Sequence, residues 1–193
     1  MESLDRTLFS LINGLAGRSP WLDRLALALV NDYLVPALLA VALFGGWFLG
    51  HSRLERERLQ RGVLATIVGV FLSNSATFLL NLLFPRPRPF HVQDVNLLFY
   101  QPTDPSFPSN PAVVGFALAL GVWSLNRRLG SLAFALASVF AVSRVYVGVA
   151  YPSDVTVGAI LGLLGSAIGP RVVRWTEPLP TRFLGWCRRW YLA

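Results

Sequence analysis

Four polar side chains lie at the ends of long apolar runs, and together they could hold an oxyanion. Arg88 belongs to the proline-rich run 85–89, Ser109 precedes one apolar run, Arg144 closes another and Asp154 opens the last. The planar guanidinium group of arginine suits phosphate oxygens, and the free N–H groups at a helix start can also bind phosphate. The simplest ligand for this set is therefore a phosphate-like anion.

The elements that position these residues are predicted to be membrane helices. The chain has 193 residues, of which 54% are hydrophobic and 14% charged, and its mean hydropathy is +0.53. Soluble domains usually carry about 25% charged residues. Since a helix needs about 20 apolar residues to cross a bilayer, we predict an all-α, polytopic bundle of five or six transmembrane helices. The candidate spans are Tyr33–Gly50, Gly62–Phe84, Ala112–Leu125, Gly130–Val147 and Val155–Val172.

The N-terminal third allows two interpretations. In the first, Leu4–Ala16 lies in the membrane interface and Leu22–Gly50 forms one long tilted helix. In the second, the N-terminal segment is a sixth span. The first is favoured because Asp23 and Arg24 would be costly in the middle of a bilayer.

The whole chain, 1–193, is interpreted as a single integral membrane domain. Its motif-bearing core is 62–172, preceded by an amphipathic segment, 1–20, and followed by an interfacial tail, 173–193. The tail mixes arginines with the aromatic residues Phe183, Trp186, Trp190 and Tyr191, as expected of an interfacial anchor. The single cysteine, Cys187, excludes an intrachain disulfide, and the N-terminus lacks the features of a cleaved signal peptide.

Arginine placement predicts the sidedness of the chain. Arginines cluster in 53–61, 127–128 and 171–189, which span counting puts on one face, predicted to be cytoplasmic. This pattern explains the net charge of +7 better than nucleic-acid binding does. The segments 85–110 and 148–153 lie on the other face. Arg86, Arg88 and Arg144 break the rule there, which indicates an anionic partner.

Each candidate also has an ordinary structural explanation. Arg88 could anchor a lipid headgroup, and Ser109 or Asn110 could simply cap a helix. Asp154 could cap the following helix or pair with Arg144. His91 could be a loop contact.

Three spaced motifs resemble the type 2 phosphatidic acid phosphatase (PAP2) superfamily. That pattern reads Lys-x6-Arg-Pro, Pro-Ser-(Gly/Asn)-His and Ser-Arg-x5-His-x3-Asp. The corresponding residues here are Asn81-x6-Arg88-Pro89, Pro108-Ser109-Asn110-Pro111 and Ser143-Arg144-x5-Ala150-x3-Asp154. The resemblance is strongest to bacterial undecaprenyl pyrophosphate phosphatases.

The resemblance implies roles for these residues. In that family the last-motif histidine attacks phosphorus, the aspartate orients it, and the second-motif histidine protonates the leaving group. Those histidine positions hold Ala150 and Pro111, which can neither attack phosphorus nor carry a proton. Asp154 keeps the orienting position. The resemblance implies phosphate contacts by Arg88, Ser109, Arg144 and Asn81, with Arg86, Asn110 and His91 as additional candidates.

Three functional hypotheses follow. The chain is a catalytically silent family member that binds polyprenyl or phospholipid (pyro)phosphate. Alternatively, it is an active lipid-diphosphate phosphatase whose histidines were replaced by engineering, or a purely structural membrane protein. His91 as a displaced nucleophile is a further, weaker alternative. The expected location is the bacterial inner membrane, with the site facing the periplasm or exterior. No cofactor is expected, and the two scattered histidines indicate no metal site.

Overall fold

The computed structural model describes residues 2–190, and every regular element in that range is helical. A 3-10 turn at Gly46–Phe48 continues α3. This confirms the all-α prediction. The helices are α1 (Glu2–Asn13), α2 (Pro20–Leu29), α3 (Leu34–Gly45), α4 (Arg53–Leu83), α5 (Pro89–Val92), α6 (Asn110–Leu125), α7 (Arg127–Tyr146), α8 (Pro152–Trp175) and α9 (Leu179–Arg189).

The long helices have the length and composition of membrane spans. In the described part of the chain, α4, α7 and α8 each qualify alone, and α2 with α3 qualifies as a pair bent by 52°. The apolar helix α6 is shorter, at 16 residues. Its bounds agree with the predicted span Ala112–Leu125 to within two residues. Counting α6, five apolar segments are available to cross a membrane, in line with the predicted five or six.

The predicted continuous helix Leu22–Gly50 is wrong, because the chain breaks between α2 and α3. The side-chain oxygen of Asn31 accepts hydrogen bonds from the backbone N–H groups of Tyr33 (2.9 Å) and Leu34 (3.0 Å). Asparagine competes for backbone groups in this way and favours a turn over a helix. The break leaves the Asp32 side chain free to pair with another element.

The two end helices are amphipathic. On α1, Phe9 is buried, with its ring centroid 5.4 Å from that of Tyr151, while Leu4 and Leu11 are exposed. On α9, Leu184 and the free Cys187 are buried. The aromatic residues Phe183, Trp186 and Trp190 of the predicted tail anchor are exposed, whereas Tyr191 lies outside the described residues.

Glycines bring α4 and α8 into close contact. A Cβ atom added at Gly169 would lie 2.0 Å from the Ala65 carbonyl oxygen, and one at Gly165 would lie 2.6 Å from the Gly69 oxygen. Small residues allow helix backbones to approach closely where lipid surrounds the bundle. This contact fixes the start of α8, with Asp154, relative to α4 and the arginine-rich loop that follows it.

A methyl group at Gly169 is expected to destabilise the bundle, because the atom that it meets is backbone. Overpacking typically costs about 1–3 kcal/mol, and about 1 kcal/mol shifts Tm by roughly 2–4 °C at this chain length. Gly169→Ala should therefore lower Tm in detergent by several degrees. Gly45→Ala is the matched control, since its added Cβ has nothing within 4 Å. Equal Tm values for the two variants would contradict the packing argument.

Candidate functional site

A rigid proline-rich loop positions Arg88. Helix α4 ends at Leu83, and Arg88 precedes α5 in extended backbone. The side chain is 4% exposed. Its Nε donates to the Asp104 carbonyl oxygen (2.8 Å) and its Nη1 to the Val149 carbonyl oxygen (2.7 Å). Its Nη2 lies 2.9 Å from Asp104 Oδ1. All three guanidinium nitrogens therefore have partners within the chain.

Arg144, in the last turn of α7, is 2% exposed and pairs with Asp32 from the α2–α3 break. Its Nη1 donates to Asp32 Oδ1 at 2.6 Å. Its Nε is buried and has no hydrogen-bond partner among residues 2–190. The other Asp32 oxygen accepts a hydrogen bond from Tyr100, and this bond raises the pKa of Tyr100 to about 12. Arg144 therefore keeps its Nε–H as a buried donor without a partner in that range.

Arg144 borders a cavity of about 270 Å³ at the ends of the helices. The cavity brings Arg144 together with Asn110 and Pro111 of the second motif. Typical pockets for drug-sized ligands have volumes of about 300–1,000 Å³, so this one suits a headgroup rather than a whole lipid. Its walls are formed by Asp32, Pro36, Tyr100, Pro102, Asp104, Asn110, Pro111, Val114 and Arg144.

Asp154 is fully buried and belongs to a different network. Its Oδ1 accepts from Arg86 Nη1 at 2.6 Å, and its Oδ2 accepts from the Ser106 hydroxyl and from the Tyr151 N–H (3.2 Å). The last contact caps α8, as one interpretation of the sequence predicted. The alternative, an Asp154–Arg144 ion pair, is wrong. The α2–α3 break supplies Asp32 to Arg144, and the loop after α4 supplies Arg86 to Asp154.

Arg86 connects the N-terminal helix to α8. Its Nη2 donates to Asp5 Oδ2 at 2.7 Å, and its guanidinium carbon lies 4.0 Å above the centre of the Tyr151 ring. Ser153 donates its N–H to Asp5 Oδ1 (2.9 Å) and its hydroxyl to Oδ2 (2.6 Å). Burial acts to raise the pKa of Asp5, but the hydrogen bonds from Ser153 and Arg86 hold it below its usual value. Arg86 therefore serves as a bridge between two carboxylates.

The remaining predicted contacts are dispersed. Ser109 is buried at the cap position of α6, but its side chain makes no cap hydrogen bond; its N–H donates to the Asp154 carbonyl oxygen at 3.0 Å. Asn110 lines the cavity. Asn81 does not, although its Oδ1 is buried without a hydrogen-bond partner in the described part of the chain. His91 is exposed, with its ring centroid 4.4 Å from that of Phe90, and it does not line the cavity.

The two histidine positions differ in their surroundings. Pro111 lies in the first turn of α6 and lines the cavity. Ala150 is 1% exposed and packs in an apolar cluster with Phe9, Tyr151 and Val155. Neither side chain has an atom that could act as a nucleophile or a proton carrier. Neither of the two histidine functions is therefore available at these positions.

A larger cavity, of about 560 Å³, lies between α1 and α8 on the other side of Arg86. Its walls are mainly apolar and include Leu4, Leu8 and Val157. The single arginine that lines it is already paired with Asp5 and Asp154. This cavity offers no unpaired positive charge, so the argument for an anion rests on the Arg144 cavity.

Sequence reasoning missed the acidic partners of the arginines. Asp32 pairs with Arg144, Asp104 with Arg88, and Asp5 with Arg86. The available signal was physical: a guanidinium group at the end of an apolar run requires a nearby carboxylate or ligand.

Residues 62–177, which contain all three motifs, match the PAP2 superfamily, and the chain belongs to that superfamily. It is 37% identical over 168 residues to YbjG of Escherichia coli (strain K12), a match covering 86% of this chain and 80% of that protein. It is 29% identical over 163 residues to undecaprenyl-diphosphatase BcrC of Bacillus subtilis (strain 168), with coverage of 81% and 80%. The crystal structure of Aquifex aeolicus LpxE superposes with a TM-score of 0.68 at 30% identity, covering 87% of this chain and 95% of that one.

These similarities define the class of the protein. It is a helical membrane protein of a lipid phosphatase family, and it is close to undecaprenyl-diphosphatases. The family resemblance found in the motifs is thereby confirmed. Its relatives are bacterial proteins.

Loss of Arg86 should destabilise the protein, because it leaves the fully buried Asp154 carboxylate without its ionic partner. Breaking a buried ion pair typically costs about 3–5 kcal/mol. Arg86→Gln should therefore lower the midpoint of thermal unfolding sharply, and adding Asp154→Asn should recover part of the loss. Arg58→Ala, at an exposed arginine of α4, is the control. If the double variant is no more stable than Arg86→Gln, the ionic coupling is refuted.

Proposed function

We propose that the Arg144 cavity binds the phosphate or diphosphate group of a lipid, of the polyprenyl type, and does not hydrolyse it. The observation that carries the proposal is Arg144 itself. It is buried, it borders the cavity, and its Nε is a donor without a partner among residues 2–190. A buried donor of this kind favours a ligand that brings acceptor oxygens.

Binding requires the ligand to compete with Asp32. A phosphate group carries more negative charge and more acceptor oxygens than a carboxylate, so it can accept from the unpartnered Nε–H and compete with Asp32 for the guanidinium charge. Arg88 does not line the cavity, and its guanidinium nitrogens are already paired with Asp104 and the Val149 carbonyl oxygen, so it contributes only its charge. Asn110 adds a side-chain amide to the cavity wall.

The proposed absence of hydrolysis follows from the residues at positions 111 and 150. Covalent phosphoryl transfer needs a nucleophile, and release of the leaving group needs an acid. Pro111 and Ala150 supply neither. His91 does not replace them, since it is exposed and lies outside the cavity lining.

The proposal of a polyprenyl lipid rests on similarity to a named relative. The proposed membrane face of the site rests on the distribution of arginines. One relative is named undecaprenyl-diphosphatase. The cavity is formed at the end of α7 and the start of α6, where a lipid headgroup meets the ends of membrane helices. The arginine-rich segments 53–61 and 171–189 favour the cytoplasm for the opposite face. The site is accordingly assigned to the periplasmic or exterior face of the bacterial inner membrane.

One observation favours a second candidate, a purely structural role. Arg86, Arg88 and Arg144 all have carboxylate partners within the chain. A bundle with balanced charges is stable without a ligand, so binding measurements must separate the two functions.

The chain should release no phosphate from undecaprenyl or farnesyl pyrophosphate above the uncatalysed rate. Without a nucleophile, arginine electrostatics leave only residual catalysis. The measurement is inorganic phosphate release by purified protein in detergent. Turnover that disappears in His91→Ala would contradict the proposal and make His91 the nucleophile.

Arg144→Ala should weaken lipid-phosphate binding by roughly ten- to a hundredfold. A charge-assisted contact is typically worth about 1.5–3 kcal/mol, and about 1.4 kcal/mol corresponds to tenfold in Kd. Asp32→Asn should act in the opposite direction and strengthen binding, because it removes the competing charge from Arg144. The measurement is the Kd for farnesyl pyrophosphate in nanodiscs.

Arg182→Ala, at an exposed arginine of α9, is the control and should bind like the parent. The opposite signs expected for Arg144→Ala and Asp32→Asn exclude a general folding defect as the cause. Equal affinities in all four proteins would establish the structural role instead.

A further inference from the structure

A second basic cavity lies at the other end of the bundle. Arg53 and Arg56, in the first turn of α4, and Arg188, in the last turn of α9, line a cavity of about 310 Å³ together with Gln60. Helix α4 has 31 residues and is therefore about 46 Å long. Since Arg86 and Arg88 follow its far end, this cavity is separated from the Arg144 cavity by about the length of that helix.

Gln60 is buried in the wall of this cavity without a partner. It is 1% exposed, and neither Nε2 nor Oε1 has a hydrogen-bond partner within residues 2–190. Nearly all buried side-chain amides in proteins are hydrogen-bonded, so an orphaned one indicates a ligand or an ordered water. Gln60 offers the cavity both donors and an acceptor.

The charges around this cavity are not balanced. In the described part of the chain, no carboxylate lies within 4 Å of Arg53 or Arg56. Arg56 donates only its Nε, to the Gly50 carbonyl oxygen at 2.8 Å. The carboxylate nearest to Arg188 is Glu57 at 3.4 Å, and Arg61 shares it at 3.2 Å. By contrast, Arg86, Arg88 and Arg144 at the other end of the bundle all pair with aspartates.

We propose that Arg53, Arg56, Gln60 and Arg188 bind a phosphate group at this end of the bundle. The guanidinium groups match phosphate oxygens in charge and geometry. Gln60 Nε2 would donate to a phosphate oxygen, and its Oε1 would accept from a P–OH or from a headgroup hydroxyl.

The phosphate has two sources, an anionic phospholipid headgroup or free inorganic phosphate. The exposed aromatic side chains Phe183 and Trp186 on α9, with Trp190 directly after it, place this end of the bundle at the level of lipid headgroups. The site is independent of the Arg144 cavity and of the function proposed for it.

The test measures how much each probe raises Tm of the full chain. One arm adds inorganic phosphate in a neutral detergent, and the other compares nanodiscs of phosphatidylglycerol with nanodiscs of phosphatidylcholine. The parent should be stabilised by at least one probe.

Two substitutions of Gln60 test its role in the site. Gln60→Glu, which adds a negative charge, should weaken the apparent affinity for the probe by at least tenfold. Gln60→Leu should raise Tm without a probe, since it removes the orphaned amide, and should also lose most of the response.

Arg53→Ala and Arg58→Ala are a matched pair of variants in the first two turns of α4. Both remove one exposed arginine, but only Arg53 lines the cavity. Arg53→Ala should bind the phosphate probe at least tenfold more weakly than the parent. Arg58→Ala and Arg144→Ala should show the same rise in Tm with the probe as the parent. A response to inorganic phosphate identifies the free ion as sufficient, and a response to phosphatidylglycerol alone identifies the lipid headgroup. No response of the parent to either probe, or equal responses of Arg53→Ala and Arg58→Ala, would overturn the proposal.

Discussion

A guanidinium group buried in a membrane bundle needs a negative partner, since its desolvation is otherwise too costly. Much of the architecture around the candidate site serves this need. Arg144 is held by Asp32, Arg88 by Asp104, and Arg86 by Asp5 and Asp154. These pairs tie the α2–α3 break, the loop before α6 and the N-terminal helix to the ends of α7 and α8. Any anionic ligand must therefore compete with these carboxylates for the arginines.

The pairing also gives Asp154 a function that needs no histidine. Its carboxylate caps α8 through the Tyr151 N–H and anchors Arg86, which in turn reaches Asp5 on α1. An aspartate at an orienting position of a catalytic motif is therefore no evidence of catalysis by itself. The residue has a structural use at this position whether or not a histidine is present.

Hydropathy and motif spacing predicted the apolar spans and predicted that Arg88, Ser109, Arg144 and Asp154 lie at one end of the bundle, because run length and loop order determine both. Of these four residues, only Arg144 lines the cavity. The α2–α3 break was not predictable in the same way. Asn31 and Asp32 lie in an apolar stretch, and their effect depends on a hydrogen bond within the turn and an ion pair to a distant helix. Which acid meets which arginine is decided by tertiary packing, as the Arg86–Asp154 pair shows.

The packing of Ala150 has a consequence for any histidine placed at this position. Its methyl group lies among Phe9, Tyr151 and Val155 and is 1% exposed, so an imidazole ring would have to displace neighbours from α1 and α8. A single Ala150→His substitution would then meet a steric barrier as well as the absence of a histidine at position 111. Because each side chain that fills the space adds to this barrier, the two-histidine pattern is hard to reach by single mutations.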